Sequence, residues 1–267
     1  PSFEDVSSII DNTRSLPNPP NLVPLCASVP SEFLTPSSIY LKVSASSKSK
    51  SNYSFLLESA ATTGTIGRYS FVGTDPRKIL ASGPKHGLEA DPLPRLEDEL
   101  SQSRVAEIPG LRLPAMTGGA IGYVGYDCVR YFEPKTRRDD IKDVLEVPES
   151  WFGLFDTIIA LDHFFQKVMV ITYLHVPAAD APASALHDAY EAGRATISSM
   201  LKVLKSKDLP LPPQPPVKLD QEYTSNIGRA GYESHVTELK KHIVTGDIIQ
   251  AVPSQRIARP TLSLIHI

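Results

Sequence analysis

Only two cysteines occur in the 267 residues, Cys26 and Cys128, far apart in the chain. That is too few for a disulfide framework or a structural zinc site, and a reducing compartment, the cytoplasm, is the expected setting. An excess of charge of either sign is missing too: 27 Lys and Arg stand against 30 Asp and Glu. Such a balance carries no electrostatic footprint for nucleic acid or for an anionic membrane surface. The basic run Lys135, Arg137, Arg138 is followed at once by Asp139 and Asp140 and reads as a solvated loop. Long apolar runs are lacking. The greasiest stretch, 151–176, is broken by Asp156, Asp162, His163 and Lys167 and cannot cross a bilayer. The start, Pro1-Ser2-Phe3-Glu4-Asp5, has neither a basic nor an apolar leader region, so no signal peptide is expected. With no initiating Met, the chain is expected to begin inside a longer one.

Short catalytic signatures are also absent. There is no G-x-x-x-x-G-K-[ST] phosphate loop, no G-x-S-x-G elbow and no H-E-x-x-H helix. Glycines 119, 122 and 125 are spaced by three, which does not fit a dinucleotide turn. His235 and His242 fall two turns apart on a predicted helix, but no third ligand accompanies them, and a surface or core-edge role is expected.

Proline, by contrast, is abundant: 24 residues, well above the ~5% of an average protein. Residues 17–24 read as an extended lead-in, and 210–216 as a stiff polyproline-like connector. The Ser- and Lys-rich stretch 44–52 reads as a mobile loop. Between these breaks, strands are expected at 38–43, 53–58, 69–73 and 78–81, with Asp75-Pro76 as the turn between the last two. A helix with an acidic face is expected at 93–105. Two apolar strands, 152–161 and 166–174, would be joined through Asp162-His163-Phe164-Phe165 as a hairpin. Leu186, Tyr190, Ile197, Leu201 and Leu204 form one stripe on a long helix. Tyr232, Val236, Leu239 and Ile243 repeat the pattern, with Gly246 placed as a helix cap and a strand expected at 248–252. Strands with helices added at intervals argue for an antiparallel α+β protein rather than a βαβ series.

Three segments carry candidate chemistry. Leu57-Glu58-Ser59 puts a carboxylate and a hydroxyl at the end of an apolar strand, a layout suited to an amphipathic small molecule. From chemistry alone the plainer reading, a strand end and a turn, is the stronger. Gly118-Gly119-Ala120-Ile121-Gly122-Tyr123-Val124-Gly125-Tyr126-Asp127 marks a close approach of another backbone, with packing its favoured role. Gly246-Asp247-Ile248-Ile249-Gln250-Ala251-Val252-Pro253 is a helix-to-strand junction with one polar residue, Gln250, on the strand.

Taken in order, these pieces resemble the anthranilate synthase large-subunit family of chorismate-utilising enzymes, its fungal-type members most of all. The match is carried by Leu56-Leu57-Glu58-Ser59, Arg68-Tyr69-Ser70-Phe71-Val72-Gly73 and the 118–127 run continuing through Cys128-Val129-Arg130-Tyr131-Phe132-Glu133-Pro134-Lys135. It continues at Asp156-Thr157-Ile158-Ile159-Ala160, Gly231-Tyr232, Gly246-Asp247-Ile248-Ile249-Gln250 and Ser254-Gln255-Arg256, so that it spans about 24–261. The resemblance implies two antiparallel sheets packed face to face with helices outside. It implies conversion of chorismate to anthranilate and pyruvate, with Mg2+ as cofactor and ammonia from a glutamine amidotransferase subunit. It also implies feedback inhibition by tryptophan at a separate site, whose wall would include Leu57, Glu58 and Ser59. Gln250 matches a position near the active site, where related enzymes that add water carry a Lys base; a neutral Gln suits ammonia as nucleophile.

The resemblance divides the chain into a regulatory portion (24–208), a proline-rich connector (209–217), the start of a chorismate-binding portion (218–261) and a tail (262–267) expected to be non-native. The family's Mg2+ ligands and catalytic residues fall at positions beyond 261, so these residues alone are expected to be inactive and poorly stable. Two rivals stand beside this reading: an aminodeoxychorismate synthase-type enzyme and a non-catalytic tryptophan-binding module.

Overall fold

A computed structural model describes residues 1–46, 53–59, 67–137, 143–178, 180–182, 184–211 and 220–259. The chain divides into two compact units, Pro1–Pro210 and Leu211–Ile267, and the boundary falls inside the proline-rich stretch 209–217. The expectations for 47–52, 212–216 and 262–267 lie outside the described residues.

The first unit runs α1 (Phe3–Thr13), β1 (Leu22–Pro30), α2 (Pro36–Ser46), β2 (Ser54–Leu57), β3 (Tyr69–Thr74), β4 (Lys78–Ser82) and α3 (Pro92–Ser101). It continues with β5 (Gly119–Val124), α4 (Val129–Phe132), β6 (Ser150–Phe155), β7 (Thr157–Asp162), β8 (Lys167–His175) and α5 (Ala185–Lys205). The strands make two antiparallel sheets, one ordered β1-β8-β7-β3-β2 and the other β4-β6-β5. The α+β expectation with two facing sheets is borne out.

Both faces of the larger sheet are covered, and the pleat sorts its residues between two cores. Ile159 and Leu161 of β7, with Val168, Val170 and Leu174 of β8, turn to the face where α1, α2 and α5 pack. The alternate residues Ile158, Ala160, Met169 and Ile171 turn to the other face, against Ile121 of β5 and Phe155 of β6. Phe55 and Phe155 meet edge-on across that gap, ring centres 4.9 Å apart. Because both faces are buried, β7 and β8 read in sequence as continuous apolar runs, and the expected hairpin between them is present.

Several local expectations are corrected. Residues 38–43 are helical, not a strand. The Thr35 side chain accepts from the Ser38 amide at 3.1 Å while Ser38 Oγ accepts from the Thr35 amide at 2.9 Å, and Pro36 follows Thr35. This reciprocal cap starts α2, which buries Ile39 and Val43 one turn apart. The expected strand 152–161 is two strands that separate at Asp156: β6 belongs to the smaller sheet and β7 to the larger. The Asp75-Pro76 link likewise carries the chain from the larger sheet to the smaller, and does not join neighbours. The helix expected to reach 105 stops at Ser101, because 104–106 pair with the start of β1 through Leu22 N–H to Arg104 O and Ala106 N–H to Leu22 O.

Helix α1 and strand β1 are among the elements that had no counterpart in the sequence reading. Helix α1 is opened by a capping box between Ser2 and Asp5. Strand β1 tolerates Pro24 and Pro30 because it lies at a sheet edge.

Gly122 in β5 and Gly125 just after it do serve close packing, whereas a Cβ at Gly119 would meet nothing within 4 Å. A Cβ on Gly122 would lie 1.8 Å from the Trp151 carbonyl oxygen, and Gly125 donates its N–H to Glu149 O at 2.6 Å.

The second unit holds β9 (Thr224–Ser225), α6 (Gly228–Thr245) and β10 (Ile257–Ala258), with β9 and β10 paired antiparallel. Gly246 closes α6 with φ 86°, a left-handed cap as expected. The strand expected at 248–252 is not formed. No strand among the described residues pairs with it, and an isolated extended segment is not stable. Ile249 is 98% exposed and Val252 81%. Among the described residues no helix is long and apolar enough to cross a membrane.

Candidate functional site

The β2, β3 and β7 strands end together at one corner of the larger sheet. Register sets Leu57 opposite Phe71, and Tyr69 opposite Asp162, so 57–59, 67–70 and 162–163 converge. Leu57 shares the face of Phe71 toward the smaller sheet and is half-exposed. Glu58 is exposed, and nothing among the described residues pairs with its carboxylate. Ser59 is half-buried, and its backbone N–H donates to Ser70 Oγ at 3.1 Å.

Asp162 anchors the corner. Its Oδ2 accepts from Arg68 Nε and Nη2 at 3.3 and 3.1 Å, and its Oδ1 accepts from the Phe164 and Phe165 amides at 3.0 Å each. Burial alone would raise this carboxyl's pKa. The Phe165 amide, the Arg68 guanidinium and the Phe164 amide outweigh burial and hold it below the ordinary carboxylate range. The same contact raises the pKa of Arg68. Beside it, Ser70 Oγ lies 2.8 Å from His163 Nε2.

This Ser–His contact is not a nucleophile and its base. Ser70 is 1% exposed and its oxygen already accepts an amide proton, while Asp162 engages Arg68 instead of the imidazole. What the corner offers is a carboxylate with no partner among the described residues, a hydroxyl and an apolar neighbour, Leu57. That set can take the ammonium and the apolar body of a small amphipathic molecule.

A second polar cluster is structural. Glu149, nearly buried, pairs with Arg130 and accepts from Tyr131 OH at 2.8 Å, tying α4 to the start of β6. This gives the 128–135 run a packing role.

Leu57, Glu58 and Ser59 therefore stand side by side, as their order requires. Gln250 is exposed, lies in the second unit on a segment without regular structure, and joins no site among the described residues. His242 Nδ1 lies 2.8 Å from Asp247 Oδ2 just past the end of α6, an exposed pairing of two side chains. Among the described residues no group of three His, Cys, Asp or Glu side chains could hold a metal ion. The Mg2+ implied by the resemblance thus finds no fitting ligand set in them. Ser70 and His163 were missed from sequence, where 162–165 read only as a turn. The pairing of β3 with β7 is the signal that brings them together.

The arrangement of segments defines a class. The chain belongs to the chorismate binding enzyme family, whose sequence profile matches residues 52–263. Within that class it is 50% identical to anthranilate synthase component 1 of Saccharomyces cerevisiae over 244 residues, 90% of this chain and 46% of that protein. It is 42% identical to the probable anthranilate synthase component 1 of Schizosaccharomyces pombe over 261 residues, 98% of this chain and 49% of that protein. The chain thus spans about half the length of these curated relatives. A crystal structure of anthranilate synthase component I from Streptococcus pneumoniae aligns with a TM-score of 0.46 at 19% identity, covering 70% of this chain and 41% of that one.

Proposed function

We propose that this chain is the front portion of an anthranilate synthase large subunit. In a chain of its relatives' full length, the activity is conversion of chorismate and ammonia to anthranilate and pyruvate, a lyase reaction that opens tryptophan biosynthesis. The observation that carries this reading is the 50% identity to the yeast enzyme, sustained over 90% of the chain. Ammonia would come from a glutamine amidotransferase subunit, and Mg2+ would be held by residues outside those described. Residues 24–208 form the regulatory portion, 209–217 the connector and 218–261 the opening of the chorismate-binding portion, with Gln250 near the active site.

Leu57, Glu58 and Ser59 form one wall of the tryptophan site. The support for this is physical: an exposed carboxylate, without a partner among the described residues, for the ligand's ammonium, with a hydroxyl and an apolar side chain on the same strand end. These residues alone form no product.

The test of the activity is product analysis on the chain extended to its relatives' length, with chorismate, Mg2+ and ammonium salt. Anthranilate fluorescence should rise with one pyruvate released per anthranilate. An amino-cyclohexadiene product without pyruvate would move the reading to an aminodeoxychorismate synthase, and no product at all to a binding module.

A further inference from the structure

At the end of the larger sheet away from residues 57–59, a cavity of about 430 Å3 opens beside the start of β1. Leu22 pairs with His175 at this end, while Pro30 pairs with Lys167 at the end where Asp162 lies. The length of β1, roughly 27 Å, separates the two places. Pro19 and Pro20 of the extended lead-in form one wall, the last turn of α1 a second, and the segment 176–182 before α5 a third. Ile10, Val176 and Leu186 line the cavity and rest on the main hydrophobic core. Its volume falls in the range of small-molecule sites, about 300–1,000 Å3.

Arg104 stands at this cavity as a fixed guanidinium. Its backbone N–H donates to Asn21 Oδ1 at 2.8 Å, and its carbonyl accepts from the Asn21 and Leu22 amides at 2.9 and 3.0 Å. Its Nε donates to Pro19 O at 2.7 Å. Neither Nη has a hydrogen-bond partner among the described residues, and no carboxylate there pairs with Arg104. A half-buried guanidinium held by its Nε keeps both Nη groups in a set geometry, so little further freedom is lost when an anion meets them. Asp11 and Arg14, in the last turn of α1, also line the cavity, and neither has an ion-pair partner among the described residues. With two arginines against one aspartate, the lining is net positive.

We infer that this cavity binds a small carboxylate with an apolar body. The planar Nη pair of Arg104 matches the two oxygens of a carboxylate, and the surface of Ile10, Val176 and Leu186 receives the remainder of the molecule. Proline fixes φ in the wall at Pro19 and Pro20, so the cavity keeps its shape when empty. The site is independent of the strand end at 57–59.

The test is a ligand-observed NMR titration of the chain extended to its relatives' length, with benzoate as the probe and benzamide as its neutral counterpart. Benzoate should bind with Kd on the order of 1 mM, and benzamide at least about tenfold more weakly. Arg104→Gln should weaken benzoate about tenfold or more through loss of the charge-assisted hydrogen bonds. Ala178→Trp, which fills the exposed mouth and leaves Arg104 and the core untouched, should weaken it as much, and decides the matter if Arg104→Gln does not fold. A benzoate affinity that neither substitution changes would place binding elsewhere and overturn the site. Benzamide binding as tightly as benzoate would reduce the cavity to an apolar cleft and overturn the carboxylate class. Phenylalanine binding more tightly than benzoate, with the gain lost in Asp11→Asn, would overturn that class in favour of a zwitterion.

Discussion

Asp162 holds the end of β3 to the turn after β7 with one side chain, 1% exposed. Asp162→Ala would leave two amides and a guanidinium without their acceptor, and should lower unfolding free energy by about 2–4 kcal/mol, measured by urea titration. Its pH dependence has a definite sign. The folded carboxyl is held below its unfolded value of about 3.9, so its contribution is complete above that value. It fades as pH falls below about 3.9 and is gone once pH has dropped through the lowered folded value. The stability advantage of wild type over Asp162→Asn should therefore be flat from pH 7 to 5 and shrink toward pH 3; an advantage that grew in acid would contradict this. At this scale the sequence disclosed little. Glu58 and Ser59 were singled out by the family resemblance at 56–59, whereas the contacts of Asp162, Ser70 and His163 beside them come only through strand register, which no local pattern encodes.

Helix α2 shows how an element can be misread from alternation. Ser38-Ile39-Tyr40-Leu41-Lys42-Val43 fits a half-buried strand, yet the buried pair is Ile39 and Val43, at helical spacing. The deciding signal is upstream, where Thr35, Pro36 and Ser38 make a start signal. Thr35→Ala should cost about 1 kcal/mol through the lost cap, and Ile39→Ala about 2–5 kcal/mol through transfer and cavity terms. Urea melts that show no cost for Thr35→Ala would contradict the capped helix. Strands β7 and β8 were legible because continuous apolar runs suit a sheet buried on both faces. For the same reason the crossing at Asp156 was hidden: Phe155 and Ile158 both line the core between the sheets, and nothing in their hydrophobicity marks a change of sheet. Helices α5 and α6 were the plainest of all, since a long apolar stripe has few competing explanations.

For the whole molecule, both hydrophobic cores lie in the first unit, while α6 buries none of its residues and Val244, Ile249 and Val252 are more than 80% exposed. The expected strand at 248–252 failed for a reason of the same scale: a strand needs a neighbour, and the described residues supply none. The order of motifs along the chain, by contrast, was legible from sequence and agrees with a family match over 52–263. The proposed tryptophan site is the strand end at 57–59. Its most direct test is anthranilate formation by the chain extended to its relatives' length, with and without tryptophan, for wild type and Ser59→Phe. Tryptophan should suppress the wild type and leave the variant running. Equal suppression of both would contradict it.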